Sequence, residues 1–176
     1  PLSELGEDGH PKLGGFLPEP LAPLPSRHDA ENPRLAYALL VPVFAGAATL
    51  GLLYLTLRRL DVPPTGALTA AVALGVGTVH WKYSTVLFSH ALSGCLVMLA
   101  VYLAARLGQQ ARRPRPLAAV LGFVVGCAVL VEYSNALLVA AIPIYIWTGR
   151  GRAVRSRAVR TGLFAAGGLL PAAFLF

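Results

Sequence analysis

Apolar residues in this chain come in long blocks that are separated by short polar stretches. The run from Leu35 to Leu57 contains no charged residue. At about 1.5 Å of helical rise per residue, this run is long enough to cross a hydrocarbon core of about 30 Å. A soluble domain would instead separate its apolar residues with a period of about 3.6 or 2. The pattern therefore predicts a membrane-spanning helix.

Further apolar runs follow the first one and are interrupted by polar clusters or by arginines. We expect each of them to form a helix, although some are short for a complete crossing. They are Gly66–Val79, Val86–Ala105, Leu117–Val131, Ala136–Trp147 and Thr161–Phe176. The sequence thus predicts an all-α, polytopic transmembrane helix bundle of about six apolar helical segments.

The N-terminal part of the chain differs from the rest in composition. Residues 1–33 are rich in proline and glycine and show no helical period, which is typical of an extended loop. We therefore divide the chain into this loop segment and a transmembrane helical region, residues 34–176. Because the sequence begins at Pro1 and stops at Phe176 inside an apolar run, we expect it to be a fragment that is truncated at the C-terminus.

Composition agrees with a membrane protein and argues against a nucleic-acid partner. Hydrophobic residues make up 56% of the chain, charged residues 13%, and the mean hydropathy is +0.64. The formal net charge of +7 would suit nucleic acid, but no soluble domain is left to present a basic groove. The basic residues lie in short stretches between apolar runs, as membrane topology requires.

The distribution of charge predicts the face of the membrane on which each loop lies. Most of the 15 basic residues fall in three stretches that the positive-inside rule places in the cytoplasm. These are Arg58–Thr65, Arg106–Pro116 and Thr148–Arg160. Residues 1–33 and a turn at Glu132–Asn135 then lie on the extracytoplasmic side. The alternative is a single tilted helix from Leu117 to Trp147, but it would put two arginine-rich loops on opposite faces.

His80, Trp81, Lys82 and Tyr83 form a polar cluster where a predicted helix leaves the membrane. Such a cluster can be an interfacial belt, in which Trp and Tyr lie at headgroup level and Lys reaches water. It can equally be an anion site, because lysine is a suitable point charge for phosphate and a low dielectric strengthens the contact. The sequence leaves both interpretations open.

Other polar residues are predicted near the same face. His90 lies one turn into a predicted span, where a histidine is more often an interhelical hydrogen-bonding residue than a catalyst. Glu132 is either an exposed turn residue or a carboxylate that faces a cavity, where it pairs with Lys82 or holds a substrate hydroxyl. Tyr133 and Asn135 would add neutral hydrogen bonds there.

The remaining candidates are weaker as functional signals. Glu7 and Asp8 are acidic residues of the N-terminal loop, where carboxylates are usually just solvated. His90 has no second histidine or carboxylate at ligand spacing on its helix, so the sequence predicts no metal site there. The spacing of Gly122 and Gly126 matches the small-residue packing motif and predicts a close helix–helix approach.

The stretch from Gly77 to Gly94 resembles a motif of membrane glycosyltransferases of the GT-C type. This superfamily contains the protein mannosyltransferases and the lipid A aminoarabinose transferases. The residues that carry the resemblance are His80-Trp81-Lys82-Tyr83-Ser84-Thr85, Phe88-Ser89-His90-Ala91-Leu92, Val101-Tyr102-Leu103, Gly122-Phe123-Val124-Val125-Gly126 and Glu132-Tyr133. The resemblance covers roughly residues 34–150.

This resemblance implies an enzyme that transfers a sugar from a polyprenyl-phosphate-linked donor to an extracytoplasmic acceptor. In such enzymes a carboxylate serves as general base or metal-associated acid, and the candidates here are Glu132, Asp8 and Glu7. Polar and basic residues hold the donor phosphate. The candidates for that role are Lys82, His80, Tyr83, His90, Tyr133 and Asn135.

The implied partners are a polyprenyl-phosphate sugar lipid and the bilayer, and the expected location is the cell envelope, in the plasma membrane of a prokaryote. A divalent metal remains open as a cofactor, without an identifiable ligand set, and the oligomeric state is not predicted. A transporter or flippase-like protein that uses the same outer cavity without chemistry is one alternative. A non-catalytic polytopic membrane subunit is the other.

Overall fold

The computed structural model describes residues 33–85, 89–109, 114–148 and 153–173. Within these residues all regular structure is helical, which confirms the predicted all-α class. The helices are α1 (Pro33–Arg59), α2 (Pro64–Gly77), α3 (His80–Thr85), α4 (Ser89–Gly108), α5 (Pro114–Val131), α6 (Leu137–Thr148) and α7 (Val154–Ala172). A 3₁₀ turn, Tyr133–Ala136, lies between α5 and α6. Glu7 and Asp8 lie outside the described residues.

Among the described residues, three segments are long and apolar enough to cross a membrane. They are Leu40–Arg59, Ser89–Gly108 and Pro114–Val131, with mean hydropathies of 1.9, 1.8 and 1.9. The apolar helices Pro64–Gly77 and Tyr133–Thr148 are shorter. Large apolar side chains cover the outside of the bundle, which suits contact with lipid rather than with water. The fold is that of an integral membrane helix bundle.

One end of the bundle gathers the last turns of α1 and α4. The Arg59 guanidinium donates to the Tyr102 hydroxyl at 3.3 Å and lies 5.1 Å from the centre of that ring. The Gln109 side chain donates to the Arg59 carbonyl oxygen. We call this end, with the first turns of α5 and α7, the arginine end. The opposite end, with the first turn of α4 and the turn at Glu132, is the Glu132 end.

The chain reverses direction after α5. Glu132 has an extended backbone (φ −154°, ψ 113°), which ends the helix before the 3₁₀ turn. Helix α6 then returns to the arginine end, where the Tyr145 hydroxyl contacts Gly108 and the Trp147 indole N–H donates to the Thr161 hydroxyl at 3.1 Å. The predicted turn at Glu132–Asn135 is therefore confirmed, and the single tilted helix is wrong.

The core lies between α4, α5, α6 and α7, where Leu107, Leu121 and Val125 are the largest fully buried side chains of the described residues. Helices α5 and α7 run in parallel and touch backbone to backbone. Gly122 lies against the Phe164 carbonyl group, and Gly126 lies against Gly168 further along both helices. The close approach predicted from the spacing of the two α5 glycines is confirmed.

Two helices depart from the sequence prediction. Helix α7 begins at Val154, whereas the apolar pattern started the last segment at Thr161. Arginine is a good helix former, so its presence marks the edge of the apolar run without ending the helix. The polar cluster His80–Thr85 is the second difference, because it forms a short helix of its own.

Candidate functional site

Helix α3 is attached to α1 through its first residue. The backbone N–H of His80 donates to the Thr78 hydroxyl at 3.1 Å, which favours the start of a helix there. The His80 Nε2 atom lies 3.2 Å from the Gly46 carbonyl oxygen. Because a carbonyl oxygen only accepts, Nε2 carries the proton in this contact. Ser84 lies directly against Gly46. Because Gly46 has no side chain, α3 can approach α1 closely at this position.

An apolar cleft of about 300 Å³ lies between α1, α2 and α3. Its walls include Val43, Leu50 and Val76, and the α3 residues His80 and Trp81 also line it. The volume falls at the lower end of the range of roughly 300–1,000 Å³ typical of ligand sites. The cleft is suited to a hydrocarbon chain, with a histidine as its polar boundary.

Lys82 follows these cleft residues in α3. Its side chain is exposed, as is that of Trp81, which is 67% exposed. Both the interfacial interpretation and the anion-site interpretation remain compatible with this exposure. The structure shows that the cation Lys82 and two residues that line the apolar cleft, His80 and Trp81, lie on the same short helix.

A chain of contacts links α3, α4 and the turn after α5. The rings of Tyr83 and His90 meet edge to face, with centroids 5.0 Å apart and planes at 73°. On its other side, His90 Nδ1 lies 3.3 Å from Glu132 Oε2. Glu132 therefore pairs with His90 and not with Lys82, the partner considered from the sequence. This pairing also gives His90 the interhelical hydrogen bond expected of it.

Asn135 fastens the turn to the two helices beside it. Its side-chain NH₂ group donates to the Ser93 hydroxyl and to the Ala128 carbonyl oxygen, each at 2.9 Å. Tyr133, by contrast, is 87% exposed. The turn is thus held by Asn135, while the tyrosine beside it is open to the surroundings.

The Glu132 carboxylate lies outside the helices and is about one-third exposed. Hydrogen bonds from Ser93 and His90, together with the nearby imidazole charge, lower the pKa of Glu132 below its ordinary value of 4.5. These contacts favour the ionised form. A carboxylate that is ionised and hydrogen-bonded to an imidazole can accept a proton from a bound hydroxyl group or orient it.

The sequence candidates fall into two groups in space. Tyr83, His90 and Glu132 form one contact chain, and Asn135 adjoins it through Ser93. His80 contacts α1 instead and lines the apolar cleft. In the described part of the chain, no group of three or more His, Cys, Asp or Glu side chains is arranged to hold a metal ion.

Sequence reasoning missed the cleft between α1, α2 and α3 and the hydrogen bond between Ser93 and Asn135. The only available signal for the hydrogen bond was topological. If α4 starts and α5 ends on the same face, their polar residues lie at a similar depth. Hydropathy alone does not say that these two helices are neighbours.

The sequence profile of one family, described as dolichyl-phosphate-mannose-protein mannosyltransferase, matches residues 32–174. The match covers all of the described helices, from the start of α1 to the end of α7. No curated protein and no solved structure matches the chain significantly.

Proposed function

Because this chain belongs to the dolichyl-phosphate-mannose-protein mannosyltransferase family of membrane glycosyltransferases, which are of the GT-C type, we propose that it takes its sugar from a polyprenyl-phosphate-linked donor. The acceptor lies on the extracytoplasmic side. In this proposal the Glu132 end faces outward and the arginine end faces the cytoplasm, in the plasma membrane of a prokaryote. The excess of arginine at one end supports this orientation.

The observation that carries the proposal is the composition of α3. One face of this short helix lines an apolar cleft through His80 and Trp81, and the next residue is the exposed cation Lys82. A lipid-linked sugar phosphate needs both features side by side, since its chain is apolar and its phosphate is anionic. Lys82 would contact the phosphate as a point charge.

The contact chain from Tyr83 to Glu132 supplies the second half of the proposed reaction. Glu132 removes a proton from the acceptor hydroxyl, whose oxygen attacks the anomeric carbon of the sugar with inversion. The bond from that carbon to the phosphate oxygen breaks, and the electron pair leaves with the polyprenyl phosphate. Lys82 and His80 stabilise the charge that develops on this leaving group.

The remaining candidates have supporting roles in this proposal. His90 holds the Glu132 carboxylate from one side, at 3.3 Å, while Tyr83 packs against the imidazole. Tyr133 offers a neutral hydroxyl group to the donor, and Asn135 offers its amide oxygen, because its NH₂ group donates to Ser93 and Ala128. Asp8 and Glu7 are the alternative general bases, should Glu132 act only by positioning.

The proposal is tested in membranes that contain the full-length protein and a radiolabelled polyprenyl-phosphate mannose. Label transferred to an acceptor is measured for the parent protein and for Lys82→Ala and Glu132→Gln. We expect each substitution to reduce transfer by roughly 100-fold or more, the scale of a lost charge stabiliser or general base.

Two control variants change the same kinds of charge at the arginine end. Arg106→Gln removes an exposed cation. Asp61→Asn removes a carboxylate at a position with φ 61°, a left-handed conformation that asparagine tolerates. Both controls should retain transfer. Full transfer by the Lys82 and Glu132 variants would contradict the roles proposed for these two residues. The absence of transfer from any polyprenyl-phosphate donor would contradict the proposed function.

A further inference from the structure

A second cleft, of about 560 Å³, lies at the arginine end between the first turns of α5 and α7. Three of its lining residues are arginines, and Ser156 adds a hydroxyl group. The arginines are Arg115 on α5 and Arg155 and Arg160 on α7. None of the described lining residues is acidic. The cleft is larger than the one beside α3 and differs from it in having three arginines in its lining.

The position of Arg160 makes the cleft more than a charged surface. Arg155 and Arg115 are exposed at its rim, whereas Arg160 is only 9% exposed. A positive charge held at such depth attracts an anion more strongly than a charge in water does, because the local dielectric is lower. The planar guanidinium groups can also form bidentate hydrogen bonds with phosphate oxygens.

The two helices that form the cleft add to its positive potential. Both α5 and α7 begin there, and neither has an acidic residue in its first turn. The N-cap residue of α7, Ala153, has no side chain that could cap the first N–H groups of the helix. Because the helices are parallel, the positive ends of both dipoles lie at the same cleft.

The sequence provides little negative charge to balance these arginines. Between residue 62 and residue 176, Glu132 is the single acidic residue. It lies at the other end of α5, about 25 Å away by helical rise, which is beyond the screening length of roughly 8–10 Å in physiological salt. Asp61 is the other acidic residue in the described part of the chain, and it is exposed and does not line the cleft. No described lining residue supplies a carboxylate, so the anion that we propose comes from outside the cleft.

We propose that this cleft binds the phosphate-bearing headgroup of an anionic phospholipid. The chemistry is that of a phosphate anion held by arginines. The bilayer is the favoured source, since the cleft lies at the end of α5, which is long and apolar enough to cross a membrane, and lipid headgroups are the most abundant phosphates at a membrane surface. The site is independent of the proposed sugar transfer, which uses the opposite end of the bundle.

The test uses the full-length protein in nanodiscs of phosphatidylcholine with increasing fractions of phosphatidylglycerol. Native mass spectrometry counts retained phosphatidylglycerol molecules and gives an apparent affinity for the parent and for Arg155→Gln. We expect affinity to fall roughly tenfold in this variant, the scale of a lost charge-assisted hydrogen bond. Arg155→Lys keeps the charge but loses the planar fork, so it should lie between the two.

Arg106→Gln is the matched control, because it removes an exposed cation at the same end of the bundle but outside the cleft. We expect its affinity to stay within about twofold of the parent value, since only long-range attraction is lost. Thermal unfolding in pure phosphatidylcholine checks that each variant is folded. If a glutamine variant is not, Arg155→Lys alone decides the question.

Three results would overturn the proposal. The first is equal loss in Arg155→Gln and Arg106→Gln, which indicates diffuse surface attraction instead of a site. The second is unchanged phosphatidylglycerol retention in both Arg155 variants. The third is stabilisation of the protein by inorganic phosphate alone to the same extent as by phosphatidylglycerol at equal concentration, which rejects the lipid as the source.

Discussion

The Nδ1 atom of His90 lies 3.3 Å from the Oε2 atom of Glu132, so the start of α4 is joined to the end of α5. Both side chains are partly exposed, at 41% and 32%. Exposed ion pairs contribute little to stability on their own. Here the pair also fixes the orientation of the only carboxylate in the described part of the Glu132 end, so its main effect is on geometry.

Lowering the pH should weaken the contact between His90 and Glu132 and so lower the stability of the protein. The pKa of Glu132 is lowered by its hydrogen bonds to Ser93 and His90. A lowered pKa in the folded state means that the stabilisation is complete above the unfolded value and is lost as the pH falls through the folded one. We therefore expect the thermal midpoint to fall below about pH 4.5 more steeply for the parent than for Glu132→Gln. Superimposable pH profiles would contradict this.

Asn135 should matter more for stability than its exposed neighbour in the same turn. Asn135→Ala removes the hydrogen bonds to Ser93 and Ala128. Hydrogen bonds between membrane helices are each worth about 0.6 kcal/mol and up to about 2 kcal/mol, so we expect a loss of roughly 1–2 kcal/mol. Tyr133→Phe is the control, with almost no expected change. Chemical unfolding in detergent measures both, and equal losses would argue against the role of Asn135.

The contact between α5 and α7 predicts a large difference between two glycines. A methyl group on Gly122 would overlap the backbone carbonyl of Phe164, which cannot move without shifting α7. We expect Gly122→Ala to destabilise the protein by about 1–3 kcal/mol. Gly94 on α4 has no heavy atom near the position of an added methyl group. Gly94→Ala should thus be neutral or stabilising by up to about 1 kcal/mol.

These two variants are compared by the denaturant midpoint in the same detergent. A Gly122→Ala protein as stable as the parent would mean that the two helices can separate at little cost. The comparison does not depend on the proposed function, because it measures stability and neither glycine is among the proposed catalytic or binding residues.

Sugar transfer should respond to a change at Gly46 on α1, which lines the apolar cleft but leaves every proposed catalytic and phosphate-binding side chain in place. In Gly46→Ala the added methyl group would meet the Ser84 side chain, which pushes α3 away and weakens the contact of His80 with the Gly46 carbonyl oxygen. Small displacements of a binding group are costly for catalysis. We expect transfer to fall at least tenfold, the lower part of that scale.

Gly51→Ala, on the same helix but with open space around the added atom, serves as the comparison and should retain transfer. Radiolabel transfer from polyprenyl-phosphate mannose is measured with both variants at equal protein level in membranes. Equal activities would show that the position of α3 does not matter for the reaction.

The sequence was sufficient for the membrane class, the order of the helices and the turn at Glu132. The turn at Glu132 was predicted from the distribution of charge, because a continuous helix would have placed two arginine-rich loops on opposite faces of the membrane. The start of α7 could not be predicted from the sequence, because Arg155 and Arg157 are compatible with either a loop or a helix.

The contacts between helices were harder to predict from the sequence than the helices themselves. The spacing of Gly122 and Gly126 indicated a close approach, but nothing in α5 identified α7 as the partner. The same holds for His90, whose hydrogen-bonding role was expected while its partner Glu132 was not assigned. Partner choice depends on how whole helix faces fit together, and local sequence patterns carry little of that information.

The glycine contact between α5 and α7 also has a consequence for biogenesis. The two helices are separated in sequence by α6, and chains emerge from the ribosome N-terminus first. When α5 emerges, the helix that covers Gly122 and Gly126 has not yet emerged from the ribosome. The small-residue face of α5 must therefore meet lipid or the insertion machinery until α7 emerges, so assembly of this half of the bundle is completed only after α7 has left the ribosome.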